Sequence, residues 1–348
     1  MNMPNIMLLG AFLGFAPIHS VDTQAGGRHD WGGGGKACSK TSQLMRSACA
    51  AESRDDFLVQ KAKCYNESER DEKRECIGEA KEEYYETRGS CHDQYDARED
   101  VCDALGQAPY DPSFEPEDFE TSLDSLTTPN NHYPMGVGHM WTYGGDEEIM
   151  VEVLDETKLI DDITCFVVRD VVFVDGLLVE DTDDWFAVAI NDGAIWYCGE
   201  EVKDFEYFDG DSPSLPELVA IDGSFKVERD GDRAGVVFPG FAQVGDVYRQ
   251  EFSLGNAEDM AEVVSTTYSY GQDEELDELV PQELAEMLCN NNCIVVAEWT
   301  PIEPDAFERK YYAPGIGFFV GTSPEDEEVV FLSGCNFNVA CETLPEAD

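Results

Sequence analysis

Three aspartates stand where a tight turn would bring them together: Asp170 on one side of the Asp175-Gly176 pair, Asp181 and Asp183 on the other. Asp-Gly between apolar runs is the signal of a two-residue hairpin turn. If Val174 faces Leu177, paired residue numbers sum to 351, which sets Asp170 opposite Asp181 with Asp183 diagonal to it on the same face. Like charges so placed repel unless a cation relieves them, and calcium, which accepts several carboxylate oxygens, is the divalent ion the pattern suits. Arg169 is one residue out of phase and is expected on the opposite face, leaving the trio unneutralised. An exposed acidic strand face in saline water explains the same residues without a site.

Other chemistry leaves fewer marks. The chain has no GxSxG elbow, P-loop, GxGxxG after a strand, HExxH or complete EF-hand loop. Of the histidines, His29, His92, His132 and His139 would remain after removal of a leader, and none has a partner at ligand spacing. Paired carboxylates for glycoside cleavage are compatible with 74 acidic residues, but no pair stands out. Trp185, Trp196, Tyr197, Tyr207, Phe208, Tyr248, Trp299, Tyr311 and Tyr312 would either line the concave side of a curved sheet, around an apolar or sugar-like ligand, or fill an ordinary core.

The elements that must hold these residues announce themselves through cysteine. Cys38, Cys49, Cys64, Cys76, Cys91 and Cys102 are separated by 11, 15, 12, 15 and 11 residues, a palindrome. Pairing Cys38 with Cys102, Cys49 with Cys91 and Cys64 with Cys76 makes every pair of numbers sum to 140, the register of an antiparallel hairpin. Residues 36–104 lack Pro and are rich in Ala, Glu, Lys, Arg and Gln, so the arms are expected to be helices. At about 100° per residue, steps of 11 and 15 leave only roughly 20° and 60° beyond whole turns, so each arm's cysteines share one face. The turn is expected at "NESER", with Met45, Phe57, Leu58 and Tyr65 as the main apolar lining of the first arm. Bridges would compensate for so thin a core. Close CxxC pairs and CxxCH are absent, which removes zinc-finger and c-type haem readings.

Charge and compartment bound the rest. The 348 residues carry 74 Asp+Glu against 22 Lys+Arg, a net charge of −52. Such a surface disfavours nucleic acid and anionic lipid as partners and leaves divalent cations and salt water as natural company. Residues 36–104 hold 12 basic and 17 acidic residues, so nearly all of the excess lies elsewhere. The apolar run from Ile6 to Ala16 has the length of a secretory h-region and is too short to span a bilayer, which predicts a signal peptide over 1–25. Twelve cysteines agree with a secreted or periplasmic, oxidising location, and no later segment is apolar enough for a membrane span.

Residues 105–130 combine four prolines with acids and read as a linker. Beyond it, over 131–341, runs such as "EIMVEVL", "CFVVRDVVFV", "WFAVAI" and "CIVVAEW" recur at the spacing of antiparallel strands, with Asp175-Gly176 and Asp192-Gly193 as turns and a helix at 275–288. The expected fold class is α+β: a disulfide-laced helical hairpin followed by an antiparallel meander that curves or closes into a barrel or sandwich. Cys289, Cys293, Cys335 and Cys341 allow local pairs or a nested set. In a flat meander Cys165 and Cys198 flank a common neighbour roughly 10 Å apart, so either the sheet bends there or one thiol stays free and buried.

The phrases "VVRDVVFVDGLLVEDTDDWFA", "AIWYCGE", "VGDVYRQE", "EWTPIEP" and "KYYAPGIG" taken together make residues 129–320 resemble a group of uncharacterised secreted bacterial proteins, often with a Cys-rich helical segment ahead of them. The resemblance implies a secreted location and this two-part layout. The opening segment "NNHYPMGVGHMWTY" departs from the form those proteins show there, notably at His139. The function expected from the sequence is a non-enzymatic binding or interaction protein with divalent cations as partners. A hydrolase on the β-domain and a carrier of an apolar ligand are the rivals.

Overall fold

The computed structural model describes residues 36–345, which fall into two compact units divided between Tyr110 and Asp111. The expected signal peptide lies outside the described residues. The α+β class is the one found. Helix α1 (Ala37–Cys64) and helix α2 (Arg70–Leu105) form the first unit as an antiparallel hairpin, turning over residues 65–69 as expected. Bridges join Cys38 to Cys102, Cys49 to Cys91 and Cys64 to Cys76, each with Cα atoms 5.6–5.7 Å apart. Between the rungs the packing is made by small groups. Ser42 and Ser53 are buried, their hydroxyls returned to the carbonyls of Cys38 and Cys49 and set against the Sγ atoms of Cys102 and Cys91. Phe57 packs against Tyr84 with the rings tilted, but Leu58 and Tyr65 are exposed and do not line the seam. Cross-links thus do much of what an apolar stripe does in an ordinary hairpin.

The second unit is a 15-stranded antiparallel sheet. Its first half comprises β1 (Met140–Gly145), β2 (Glu148–Ile160), β3 (Ile163–Val174), β4 (Leu177–Val188) and β5 (Ile195–Glu201), followed by the short β6 (Asp204–Glu206), β7 (Glu217–Ala220), β8 (Phe225–Lys226) and β9 (Gly235–Phe238). Its second half comprises β10 (Val247–Arg249), β11 (Met260–Tyr268), β12 (Cys293–Thr300), β13 (Glu303–Ala313), β14 (Gly317–Ser323) and β15 (Glu328–Cys335). Strands β1–β5 and β10–β15 are each meanders, joined where β15 pairs with β1, while β6 returns to pair with β4 and β8 pairs with β5. The free ends then meet: β9 pairs with β5, and beside it the Arg233 amide donates to Phe252 O at 3.0 Å while Gln250 Nε2 reaches Val237 O. Only glycine fits at 235, because a Cβ there would run into the Gln250 carbonyl. Rolling the sheet onto itself in this way encloses one face.

That enclosed face carries the larger core, including Val153, Phe166, Val168, Phe186, Phe225, Phe238, Tyr312 and Phe319. A second, smaller core lies on the back of β3–β5 around Cys165, Val167, Trp185, Ala187 and Cys198. Part of the expected linker closes over it. Residues from 111 onward belong to this unit, and Phe114 and Phe119 pack edge-on against each other and against Trp196. Two aromatic anchors outweigh the four prolines, so 111–130 is a strap rather than a spacer. The expected helix at 275–288 forms only as α3 (Gln282–Leu288), because Pro281 disfavours helical backbone at the residue before it. No helix among the described residues is long and apolar enough to cross a membrane.

The remaining cysteines are all bridged. Cys289 joins Cys293 and Cys335 joins Cys341, the local pairs. Cys165 joins Cys198 across β4 with Cα atoms 6.5 Å apart, so the bent-sheet expectation holds and neither thiol is free. The bend has a local cause. Trp185 pairs with Gly199 and Phe186 with Tyr197, leaving Cys198 as an extra residue in a β-bulge beside the small Ala187.

Candidate functional site

The aspartate trio does not form. Val174 pairs with Leu177 and Phe173 with Leu178, as the turn dictates, but the next pair is Val172 with Glu180. Val179 is an extra residue on β4, and beyond this bulge Asp170 faces Thr182 rather than Asp181. Side chains alternate with a period of two, so one inserted residue exchanges the faces. Asp181 and Asp183 therefore lie on the back of the sheet with Arg169, whose guanidinium donates to both oxygens of Asp181 at 2.7 and 2.8 Å. This pair holds the Asp181 carboxyl below its ordinary pKa, first through the hydrogen bonds. Asp170 turns inward, away from both. The calcium site expected from these three residues is thus corrected: one member is on the other face and a second already has a cation. Among the described residues no group of three or more His, Cys, Asp or Glu side chains is arranged to hold a metal ion.

The bulge creates something else. It aligns Asp170 on β3 with Glu180, Thr182 and Asp184 on β4, and all four open into a cavity of about 390 Å³ inside the rolled sheet. Glu200 follows from β5, Asp204 from β6, and Asp222 and Gly223 from the loop before β8. Gln250, Glu251 and Asp259 come from the segment around β10 and β11, Glu298 from β12, and Glu303 and Lys310 from β13. Ten carboxylates thus face one lysine. Tyr133, Trp141, Tyr143, Phe186, Tyr197, Tyr312 and Phe318 supply aromatic walls.

Charge is unevenly compensated around this cavity. On the β10–β13 side Lys310 Nζ lies 2.6 Å from Glu298 Oε2 and 3.5 Å from Glu308 Oε2, while Gln250 Nε2 donates to Glu298 Oε1 at 2.9 Å. Burial alone would lower the Lys310 pKa, but Glu298 and Glu308 more than reverse that and raise it. On the β3–β5 side no lysine or arginine among the described residues lines the cavity. The Tyr197 hydroxyl touches Asp184 Oδ1 and lies 3.0 Å from Glu200 Oε2. A phenol carries one proton, so bonding both carboxyls requires one of them to be protonated and to donate to the phenol oxygen. Glu200 is suited to this, because burial and then the Asp184 charge push its pKa well up.

Glu180 is the most exposed to this imbalance. Its residue is 8% exposed, Oε1 accepts from the Thr182 hydroxyl at 2.7 Å, and Oε2 is buried with no hydrogen-bond partner. Burial raises its pKa to about 7. The neighbouring Asp170 Oδ1 is likewise buried without a partner, and burial together with Asp184 and Glu180 raises that carboxyl well above its ordinary value. Burial also pushes Asp184 up to about 7 and Asp259 up to about 6. A wall of partly protonated, underpaired carboxyls is what remains when negative groups are packed together without their counter-charge.

Of the aromatic residues set out above, Tyr197 and Tyr312 line the cavity, whereas Trp185 and Trp196 belong to the back core and Tyr311 is wholly buried. His139 is structural: its Nδ1 lies 3.0 Å from Pro134 O and its ring stacks on Phe337. All five quoted phrases of the resemblance contribute cavity residues: Asp170, Glu180 and Asp184 from the first, Tyr197 and Glu200 from the second, Gln250 and Glu251 from the third, Glu298 and Glu303 from the fourth, Lys310 and Tyr312 from the last. Compared with known proteins, the chain matches no family model, no curated protein and no solved structure.

Proposed function

We propose that the protein is a secreted or periplasmic, non-enzymatic binding protein whose β-unit takes a positively charged ligand into this cavity. Six disulfides support an oxidising location, and the apolar run near the N-terminus supports export. The observation that carries the ligand reading is Glu180: a carboxylate nine-tenths buried, lining a ligand-sized cavity, with an oxygen that no group among the described residues satisfies. Leaving such a group unpaired costs about 1–3 kcal/mol or more for a charge, and a bound cation would recover it. Cavities of this volume fall within the range of small-molecule sites, about 300–1,000 Å³. An apolar cargo would leave the carboxyls unpaired, so the carrier reading loses ground.

The test is melting temperature against calcium chloride, and separately against 1,4-diaminobutane, at fixed high sodium chloride for the natural chain and Glu180→Gln. A saturable rise with either cation, weakened by the substitution, supports the reading. Flat curves with both, or a rise the substitution leaves intact, would refute it.

A hydrolase is the second reading, favoured by Glu180 and Asp184, both carried by β4 and both held near 7, where a carboxyl serves as a general acid at neutral pH. Turnover of aryl glycosides or esters that Asp184→Asn abolishes would select it.

A further inference from the structure

Building on the cation reading, we infer that the ligand is a small organic dication bearing N–H groups, of the linear diamine class, rather than a metal ion or a quaternary ammonium. Three observations narrow the chemistry. Glu180 Oε2 and Asp170 Oδ1 both face a lack of donors, and a hydrogen-bond donor is what an orphaned carboxylate oxygen needs. A quaternary ammonium has charge but no N–H. A hard metal ion needs several oxygens converging at about 2.3–2.6 Å, and no such group of three exists among the described residues.

The charge count sets the valence. Glu298 and Glu308 already share Lys310, the one basic residue among the described lining residues, so the cavity's internal counter-charge is spent on that side. Asp170, Glu180, Asp184 and Glu200 have no basic residue lining the cavity on their own side; burial and the proton shared at Tyr197 leave this wall partly protonated, and above pH 7 Glu180 and Asp184 still ionise. A monocation would leave this wall negative. Two ammonium groups would each find a carboxylate, and the methylene chain between them would lie against the ring walls of Phe186 and Tyr312.

The experiment is calorimetric titration of the disulfide-intact chain at pH 8 with four probes: 1,4-diaminobutane, its bis-trimethylammonium analogue, 1-aminobutane and calcium chloride. The diamine should bind saturably and at least tenfold more tightly than each of the others. Glu180→Gln and Asp170→Asn should each weaken it at least tenfold, while Asp183→Asn, on the back of the sheet, should leave it unchanged. Melting curves of each variant establish that it is folded before titration. If calcium or the bis-quaternary analogue binds as tightly as the diamine and depends on Glu180, the N–H inference falls and the cation reading stands. If 1-aminobutane matches the diamine, the dication is wrong. If none of the probes binds, both readings fall together.

Discussion

Replacing Glu180 by glutamine isolates what the cavity's charge costs the fold. The glutamine carbonyl can keep the hydrogen bond from Thr182, now 2.7 Å long, so shape and one polar contact are preserved while the charge is lost. Burial is the main cause of the raised Glu180 pKa, opposed by the Thr182 hydroxyl and reinforced by Asp204, Asp184 and Asp181. It carries the group from an ordinary 4.5 to about 7. Between those two values the native state holds a proton that the unfolded chain has released. Stability therefore falls as pH rises through this window and stays low above it. The span of about 2.5 in pKa at 1.36 kcal/mol each is about 3 kcal/mol of destabilisation above pH 8. Glutamine does not titrate. Relative to the natural chain, Glu180→Gln should gain about 3 kcal/mol above pH 8 and nothing near pH 4, which for a unit of this size is about 6–12 °C in melting temperature.

Urea unfolding at fixed sodium chloride, with disulfides intact and across this pH range, measures the difference. Any pH-independent cost of an amide in place of the orphan oxygen cancels when the two ends of the range are compared. An equal effect of the substitution at pH 4 and above pH 8 would refute the reasoning, because it would show that Glu180 ionises in the folded protein as freely as in the unfolded chain.

Other outcomes follow from the same structure. Asp184 and Asp259 also have raised carboxyl pKa values, about 7 and about 6, so the stability of the ligand-free chain should decline from pH 5 to pH 8, read as a falling urea midpoint. Lys310→Met should destabilise the β-unit by about 3–5 kcal/mol, since it strands Glu298 and Glu308 without a counter-charge. Adding Glu298→Gln should return part of that loss, and a purely additive pair in the urea midpoints would show that the ion pair is not coupled. Non-reducing peptide mapping should recover Cys38 with Cys102, Cys49 with Cys91, Cys64 with Cys76 and Cys165 with Cys198; a Cys49 to Cys64 linkage would break the hairpin. Sodium chloride should raise the melting temperature by screening a net charge of −52, and a flat curve to seawater strength would count against a surface adapted to salt.

The helical hairpin was legible because cysteine spacing is itself a distance measurement: a palindrome of separations has few geometric solutions. The sheet was legible as a meander for the ordinary reason of apolar runs broken by Asp-Gly turns. The site was not, and the failure can be traced to Val179. The turn at Asp175-Gly176 sets the register correctly for two pairs, and nothing in "LLVEDT" announces that one residue will then be bulged out. That single residue moves Asp170 from the company of Asp181 and Asp183 into that of Glu180 and Asp184. A usable signal did exist elsewhere. Glu298 sits in "CIVVAEWT", an almost unbroken apolar run; a charge embedded in a strand that is otherwise apolar on both faces has no solvent to face and so must face a partner or a cavity. Among 74 acids, position within an apolar run separates interior from surface better than proximity to other acids does.

The structure also shows how an acid-lined wall is braced from behind. Asp170, Glu180, Asp184 and Glu200 crowd together on three adjacent strands, an arrangement that costs the sheet stability as they ionise. The opposite face of the same strands carries the restraint. The Cys165–Cys198 bridge ties β3 to β5 over β4, and Trp185 on β4 lies buried beneath the Lys158 ammonium, 3.3 Å from its ring centre, with Lys226 at 5.8 Å. Cations are thus placed behind the wall, where they attract the same strands without filling the cavity, and the Phe114–Phe119 strap adds apolar cover beside them. Bracing from behind leaves the carboxyls fixed in position and still short of donors, so a bound dication would meet a site that has already been held together at the expense of the rest of the sheet rather than one it must assemble.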